Sequence, residues 1–214
     1  MINCLAIDTC NANISVALGV TGKVYSQAST MPMQHSKYCL EYIDNVLKQA
    51  KITLDDITHY AVTIGPGSFT GVRIGIAVLK GLALVKPKPV ITATTLGVVA
   101  HALVGKIDSN NKPITVVLKG GRQQYYLQHF AACCIKATSE VQLMQAPQVA
   151  AELNNFTSNI VVGDGAPDFA KENTMNNSYY FNANAEMLLN YVQNQQLNTT
   201  TSQHLKPLYL RPAV

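Results

Sequence analysis

The strongest chemical signal in the chain is the run Gly65-Pro66-Gly67-Ser68-Phe69-Thr70-Gly71-Val72-Arg73-Ile74-Gly75. It lies between an apolar strand-like stretch at 60–64 and a helical pattern that Pro87 stops. Glycines let a backbone turn tightly and approach a ligand closely. Free N–H groups at the start of the following helix suit an anion, and Arg73 in the first turn adds a fork of donors. Gly65, Gly67, Ser68, Thr70 and Gly71 are therefore candidate phosphate- or nucleotide-binding residues. No Lys-Ser/Thr pair closes the loop, which excludes a P-loop. The same run reads equally well as a tight turn with Ser68 or Thr70 capping the helix.

A second candidate is Ala6-Ile7-Asp8-Thr9, followed by the apolar Ile14–Leu18. A carboxylate at the end of a first strand, under a hairpin, suits a metal-bound phosphate, so Asp8 and Thr9 join the candidates. With no second carboxylate beside it, a capping role for Asp8 is the favoured reading. His35 precedes the first helix, and His59, His101, His129 and His204 stand alone, so no nucleophile–base order is assigned. Cys4, Cys10, Cys39, Cys133 and Cys134 are odd in number and lack CxxC spacing, which argues against disulfides or zinc. Cys133-Cys134 reads as a strand pair. No catalytic residue and no metal ligand are assigned.

The elements that must position these residues follow from periodicity. Strands are expected at 3–8, 14–20 and 23–29, the last two joined by a hairpin at Thr21-Gly22. A helix at 36–50 carries Cys39, Ile43, Val46, Leu47 and Ala50 on one stripe. Then come a strand at 60–64, a helix at 71–85, a strand at 89–93 and a helix at 95–105. The order β-β-β-α-β-α-β-α implies an α/β layer with parallel pairings after the opening hairpin. Later strands are expected at 114–118, 124–131, 133–138 and 160–162, with helices from Pro147 to Leu153 and over 184–194. A polar loop is expected at 193–204. The second half reads as a shortened version of the first, with a boundary after residue 105.

Composition narrows the function classes. In 214 residues, 16 basic and 12 acidic side chains give a net charge of +4, and only 13% of residues are charged. No dense Lys/Arg stripe is present, which argues against strong, unaided nucleic-acid binding. The opening Met-Ile-Asn-Cys-Leu-Ala-Ile-Asp has no basic n-region, and the apolar run Ile74–Val85 is interrupted by Lys80. A reducing, cytoplasmic setting without membrane contact is expected. The 71–85 helix carries only Arg73 and Lys80 as charges and is apolar on every face. Such a helix is normally covered all round, either by a second lobe or by another subunit, and the subunit is the preferred reading. Gly75, Ala77 and Gly81 would let a partner helix approach closely.

Taken together, Ala6-Ile7-Asp8-Thr9, Ser15-Val16-Ala17-Leu18, His35, the Gly65–Gly75 run and the closing Pro207-Leu208-Tyr209-Leu210-Arg211 resemble the TsaB family, also called YeaZ. The resemblance is strong over 1–105, weak over 106–205, and returns at the closing motif. It implies an actin/Hsp70-like (ASKHA) fold: two ribonuclease-H-like lobes, 1–105 and a smaller, degenerate 106–214. It implies a non-catalytic scaffold that binds and activates the transferase TsaD in tRNA N6-threonylcarbamoyladenosine synthesis, with the ATPase TsaE docking on that pair. By the same resemblance the chain forms a homodimer when alone and meets tRNA mainly through the complex. Arg73, Ala77 and Lys80 are the implied interface positions. No intrinsic cofactor is expected, and ATP/ADP and metal belong to the partner subunits. The family's catalytic relative has His-x-x-x-His where this chain reads Gly97-Val98-Val99-Ala100-His101, so the two-histidine metal site is expected to be lost. A family Asp-Ala-Arg is here Gly120-Gly121-Arg122, without the carboxylate. The alternative reading is a kinase-like ATPase using Asp8, Thr9 and the glycine loop.

Overall fold

The computed structural model describes residues 2–29, 35–103, 112–131, 136–156, 158–170, 178–194 and 199–210. In chain order these form β1 (Cys4–Asp8), β2 (Ser15–Val20), β3 (Lys23–Ala28), α1 (His35–Ala50), β4 (His59–Thr63), α2 (Phe69–Val85), β5 (Val90–Ala93) and α3 (Thr95–His101). There follow β6 (Ile114–Gly121), β7 (Gln124–Phe130), β8 (Gln142–Gln145), α4 (Ala146–Asn155), β9 (Ile160–Val162), α5 (Ala166–Phe169), β10 (Ser178–Tyr179), α6 (Ala185–Asn194) and β11 (Thr199–Thr200). Two compact units result, Met1–Thr95 with Ala183–Tyr209, and Leu96–Asn182 with Leu210–Val214.

The first unit is a six-stranded sheet in the order β11-β5-β4-β1-β2-β3. β1, β4 and β5 run parallel, and β1–β2–β3 are antiparallel. Thr21 and Gly22 both take positive φ, as a two-residue hairpin turn requires. Leu5, Ile7, Val16 and Leu18 meet Cys39, Ile43, Val46 and Leu47 of α1 and Val72, Ile76 and Leu79 of α2 in one core. Each such aliphatic side chain contributes about 1.5–3 kcal/mol by leaving water.

The second unit holds the sheet β10-β9-β6-β7-β8. Strand for strand this repeats β5-β4-β1-β2-β3, with α4 in the place of α1 and α5 in that of α2. The repeat is shorter: α2 has 17 residues and α5 has 4, while β5 has 4 and β10 has 2. Val117, Leu127, Val149, Leu153, Val161 and Phe169 form its core. Such a duplication is the actin/Hsp70-like architecture, with a degenerate second half.

The structure departs from the sequence expectations in several places. The expected boundary after residue 105 puts all later residues in the second lobe, whereas α6 and β11 belong to the first compact unit. There α6 packs on β1, β2 and β4, because Leu188, Leu189 and Val192 need an apolar face. The third strand expected at 133–138 lies partly outside the described residues, as do Cys133 and Cys134; Ala137 makes one bridge to Phe130. The strand that pairs with the outer edge of β7 is β8, whose Gln-Leu-Met-Gln sequence has no β-branched residue to announce it. β11 occupies part of the expected 193–204 loop, antiparallel to β5. Among the described residues no helix is long and apolar enough to cross a membrane.

Candidate functional site

Because β1 and β4 are parallel neighbours, their C-terminal ends finish side by side, and Asp8 meets Thr63. Asp8 is fully buried. Its Oδ1 accepts a short hydrogen bond from the Thr63 hydroxyl and one of 3.4 Å from the Cys10 N–H, while Oδ2 accepts from Asn11 Nδ2 at 3.3 Å. Burial pushes the carboxyl up to about 6, against the opposing pull of these donors. Asn11 Nδ2 also donates to the Ala183 carbonyl at 2.6 Å, and Ser15 Oγ accepts from the Ala185 N–H at 2.9 Å. The start of α6 is thereby tied to the end of β1. Cys10 Sγ donates to Thr63 Oγ1 at 3.2 Å. Burial, and then the Asp8 charge, push its thiol up to about 12, so it stays protonated and is a poor nucleophile.

The glycine loop is packed on this strand end. The Ser68 N–H donates to the Cys10 carbonyl at 2.7 Å, and Thr9 Oγ1 donates to the Gly71 carbonyl at 2.7 Å. Ser68 is the N-cap of α2, its Oγ accepting from the Gly71 N–H at 3.1 Å. A Cβ on Gly67 would run into the Cys10 carbonyl, one on Gly71 into the Thr9 carbonyl, and one on Gly75 into Thr9 Oγ1. Gly65 adopts φ +100 and its carbonyl accepts from the Thr95 N–H at 2.9 Å. The loop's glycines thus serve a close approach between α2 and the Asp8–Cys10 segment. Thr70 is exposed.

The opposite face of α2 is open. Phe69, Arg73, Ala77, Gly81 and Val85 follow one another at four-residue spacing and are all exposed, while Val72, Ile76, Leu79 and Ala83 face the core. Phe69 is 50% exposed, Leu84 83% and Val85 73%, so a helix with a well-buried inner stripe also presents an apolar outer one. Nothing lies within 4 Å of a Cβ built on Gly81. Of the expected interface positions, Arg73 and Ala77 lie on this stripe, and Lys80 beside it is half-buried. The Arg73 guanidinium stacks on the Phe69 ring at 3.8 Å, and its Nε donates to Tyr209 Oη at 2.6 Å. The rings of Phe69 and Tyr209 lie 5.3 Å apart.

Sequence reasoning missed Thr63, Cys10 and Asn11 around Asp8, and the pairing of Tyr209 with Arg73. The parallel alignment of β1 with β4 was the available signal for Thr63. His35 opens α1, and His101 ends α3, buried, with its basicity lowered by that burial. Arg122 and Gln123 form the β6–β7 turn with positive φ. Beside that hairpin, Asp168 accepts from Lys119 Nζ at 3.0 Å and from Tyr125 Oη at 2.8 Å, and Asp164 accepts from the Lys119 N–H at 2.9 Å. The cluster is satisfied within the second unit. Among the described residues no three His, Cys, Asp or Glu side chains converge as metal ligands.

Comparison with known proteins gives a consistent picture. Residues 24–160 match the family model described as TsaD: tRNA N6-adenosine threonylcarbamoyltransferase. The tRNA threonylcarbamoyladenosine biosynthesis protein TsaB of Buchnera aphidicola subsp. Schizaphis graminum is 30% identical over 174 residues, covering 80% of this chain and 82% of that relative. The solved structure of YeaZ from Pseudomonas aeruginosa superposes with a TM-score of 0.82 at 22% identity, over 98% of this chain and 100% of that one. An inorganic polyphosphate/ATP-glucomannokinase from Arthrobacter sp. strain KM superposes with a TM-score of 0.51 at 10% identity, over 90% and 98% of the two chains, and shares the fold alone.

Proposed function

The chain belongs to the TsaB (YeaZ) family, within the wider group matched by the TsaD family model, and from that membership we propose that it is the non-catalytic subunit that binds and activates TsaD in tRNA N6-threonylcarbamoyladenosine synthesis. The observation that carries this reading is the open outer stripe of α2, Phe69-Arg73-Ala77-Gly81-Val85. An isolated lobe has no reason to keep such a surface apolar, and small residues at Ala77 and Gly81 suit a closely approaching helix. Docking there leaves chemistry to TsaD, with ATP/ADP and metal held by partner subunits. TsaE joins the assembled pair, tRNA is reached mainly through the complex, and the same face pairs two copies when TsaD is absent. A cytoplasmic location fits these roles.

The kinase-like alternative draws on the buried Asp8 and the shared fold. Its support is weaker, because the Ser68 and Gly71 N–H groups are already engaged by Cys10 and Ser68, and the loop glycines are filled by Thr9 and Cys10. Ala77→Glu puts a charge in the centre of the stripe without touching the core. It is expected to abolish co-purification with TsaD and to abolish tRNA modification in a reconstituted reaction. Survival of both would refute the docking reading.

A further inference from the structure

The C-terminal segment is built into the α2 face in a way the activity does not explain. Leu205 is buried in the core of the first unit. The Leu208 N–H donates to the Ile64 carbonyl at 2.7 Å, next to the glycine loop. These two anchors hold Tyr209 against the first turn of α2. Its hydroxyl takes the Arg73 Nε–H at 2.6 Å and its ring centre lies 5.6 Å from the guanidinium carbon, while the Phe69 ring, 5.3 Å from that of Tyr209, stacks on the guanidinium at 3.8 Å.

An arginine on an open helix face samples many rotamers and loses that freedom on docking. Here the freedom is already spent in folding. With Nε given to Tyr209 and a ring face against Phe69, the two terminal nitrogens are left as the donor edge, the end-on pair that matches a carboxylate. Among the described residues no carboxylate lies within ion-pair distance of Arg73. One cation in an apolar stripe suits a single carboxylate on a protein partner, whereas a nucleic-acid backbone calls for several.

We propose that Tyr209 is a positioning residue that presents Arg73, at the head of the α2 face, to a carboxylate of TsaD. The proposal rests on the docking of α2 to TsaD. Titration calorimetry of the full chain against TsaD of the same organism, at about 50 and about 300 mM NaCl, tests it. Tyr209→Phe keeps the ring and loses one charge-assisted hydrogen bond, and is expected to weaken binding roughly five-fold. Tyr209→Ala and Arg73→Gln are each expected to weaken it about ten-fold or more, and Tyr209→Ala to add less than about two-fold in the Arg73→Gln background. Added salt is expected to weaken the wild type more than Arg73→Gln. Full additivity of the two changes, or Tyr209 variants that melt and bind like wild type, would overturn the positioning role. An unchanged salt dependence in Arg73→Gln would overturn the carboxylate. Failure of the wild type to bind TsaD would overturn the docking reading and this proposal with it; indifferent Tyr209 variants beside a binding wild type overturn this proposal alone.

Discussion

Replacing Asp8 by Asn should make the protein more stable at neutral pH. The carboxyl is fully buried and sits near 6 instead of its ordinary 3.8, with burial as the leading cause. Below pH 3.8 both folded and unfolded chains carry the proton. As pH rises from there to 6, the unfolded chain releases it first, so stability falls across that window and then levels off. The two-unit gap corresponds to about 3 kcal/mol at 1.36 kcal/mol per pH unit. Asn keeps an acceptor for Thr63 and Cys10 but turns an amide toward Asn11 Nδ2, which costs about 1 kcal/mol. The net expectation is about 2 kcal/mol gained at pH 7.5, a rise of several degrees in Tm. Urea unfolding at pH 4.5, 6 and 7.5 measures both the gain and the slope. A loss of stability at pH 7.5, or an unchanged fall between pH 4 and 6, would refute the assignment. The same variant bears on nucleotide binding, since a kinase-like site would lose ATP with Asp8 while the folded chain became more stable.

Two glycines of α2 should respond in opposite directions. Gly75→Ala drives a methyl into Thr9 Oγ1 and should cost about 1–3 kcal/mol, whereas Gly81→Ala meets open space and should gain about 0.5–1 kcal/mol in thermal melts. In the second unit, His129 joins Thr115 Oγ1 at 2.9 Å to Glu152 Oε1 at 3.1 Å, with Asn159 donating to the same hydroxyl at 2.8 Å. His129→Leu strands the Thr115 hydroxyl proton and the Glu152 carboxylate, and should cost about 1–3 kcal/mol in urea unfolding. Because the network lies within the second unit, TsaD affinity in native buffer should hold.

Much of the first unit was legible because its elements are long relative to their periods. α1 and α2 each complete several turns, so their stripes emerge from local spacing, and Pro87 and Thr21-Gly22 punctuate them. The second unit was legible only in outline. β8, α5 and β10 have two to four residues each, at most two strand repeats or about one helical turn, too short a run to establish a pattern. The return of α6 to the first sheet, and the meeting of Tyr209 with Arg73 across 136 positions, depend on tertiary contacts that no window contains. The closing Pro-x-Tyr-Leu-Arg resemblance marked Tyr209 as worth attention without saying what it touches. Asp8 was found, but its buried neighbours decide its chemistry, and burial is a property of the assembled sheet.

The internal repeat separates what the glycine loop does for the fold from what α2 does beyond it. In the first unit the loop after β4 lies on the end of β1, with glycines where a Cβ would strike Thr9 and Cys10. In the second unit the loop after β9 does the same: Gly163, at φ +127, and Gly165 lie against Val117 on β6, the counterpart of β1. The Gly165 N–H donates to the Val117 carbonyl at 3.1 Å. The same close approach therefore recurs where the following helix, α5, has only four residues and offers no extended face. A feature present in both repeats answers a need both share, which is seating the loop on the first strand. The element that differs is the helix itself. Only α2 runs on for 17 residues and carries the open stripe from Phe69 to Val85, so the function particular to the first unit is best sought on that outer face.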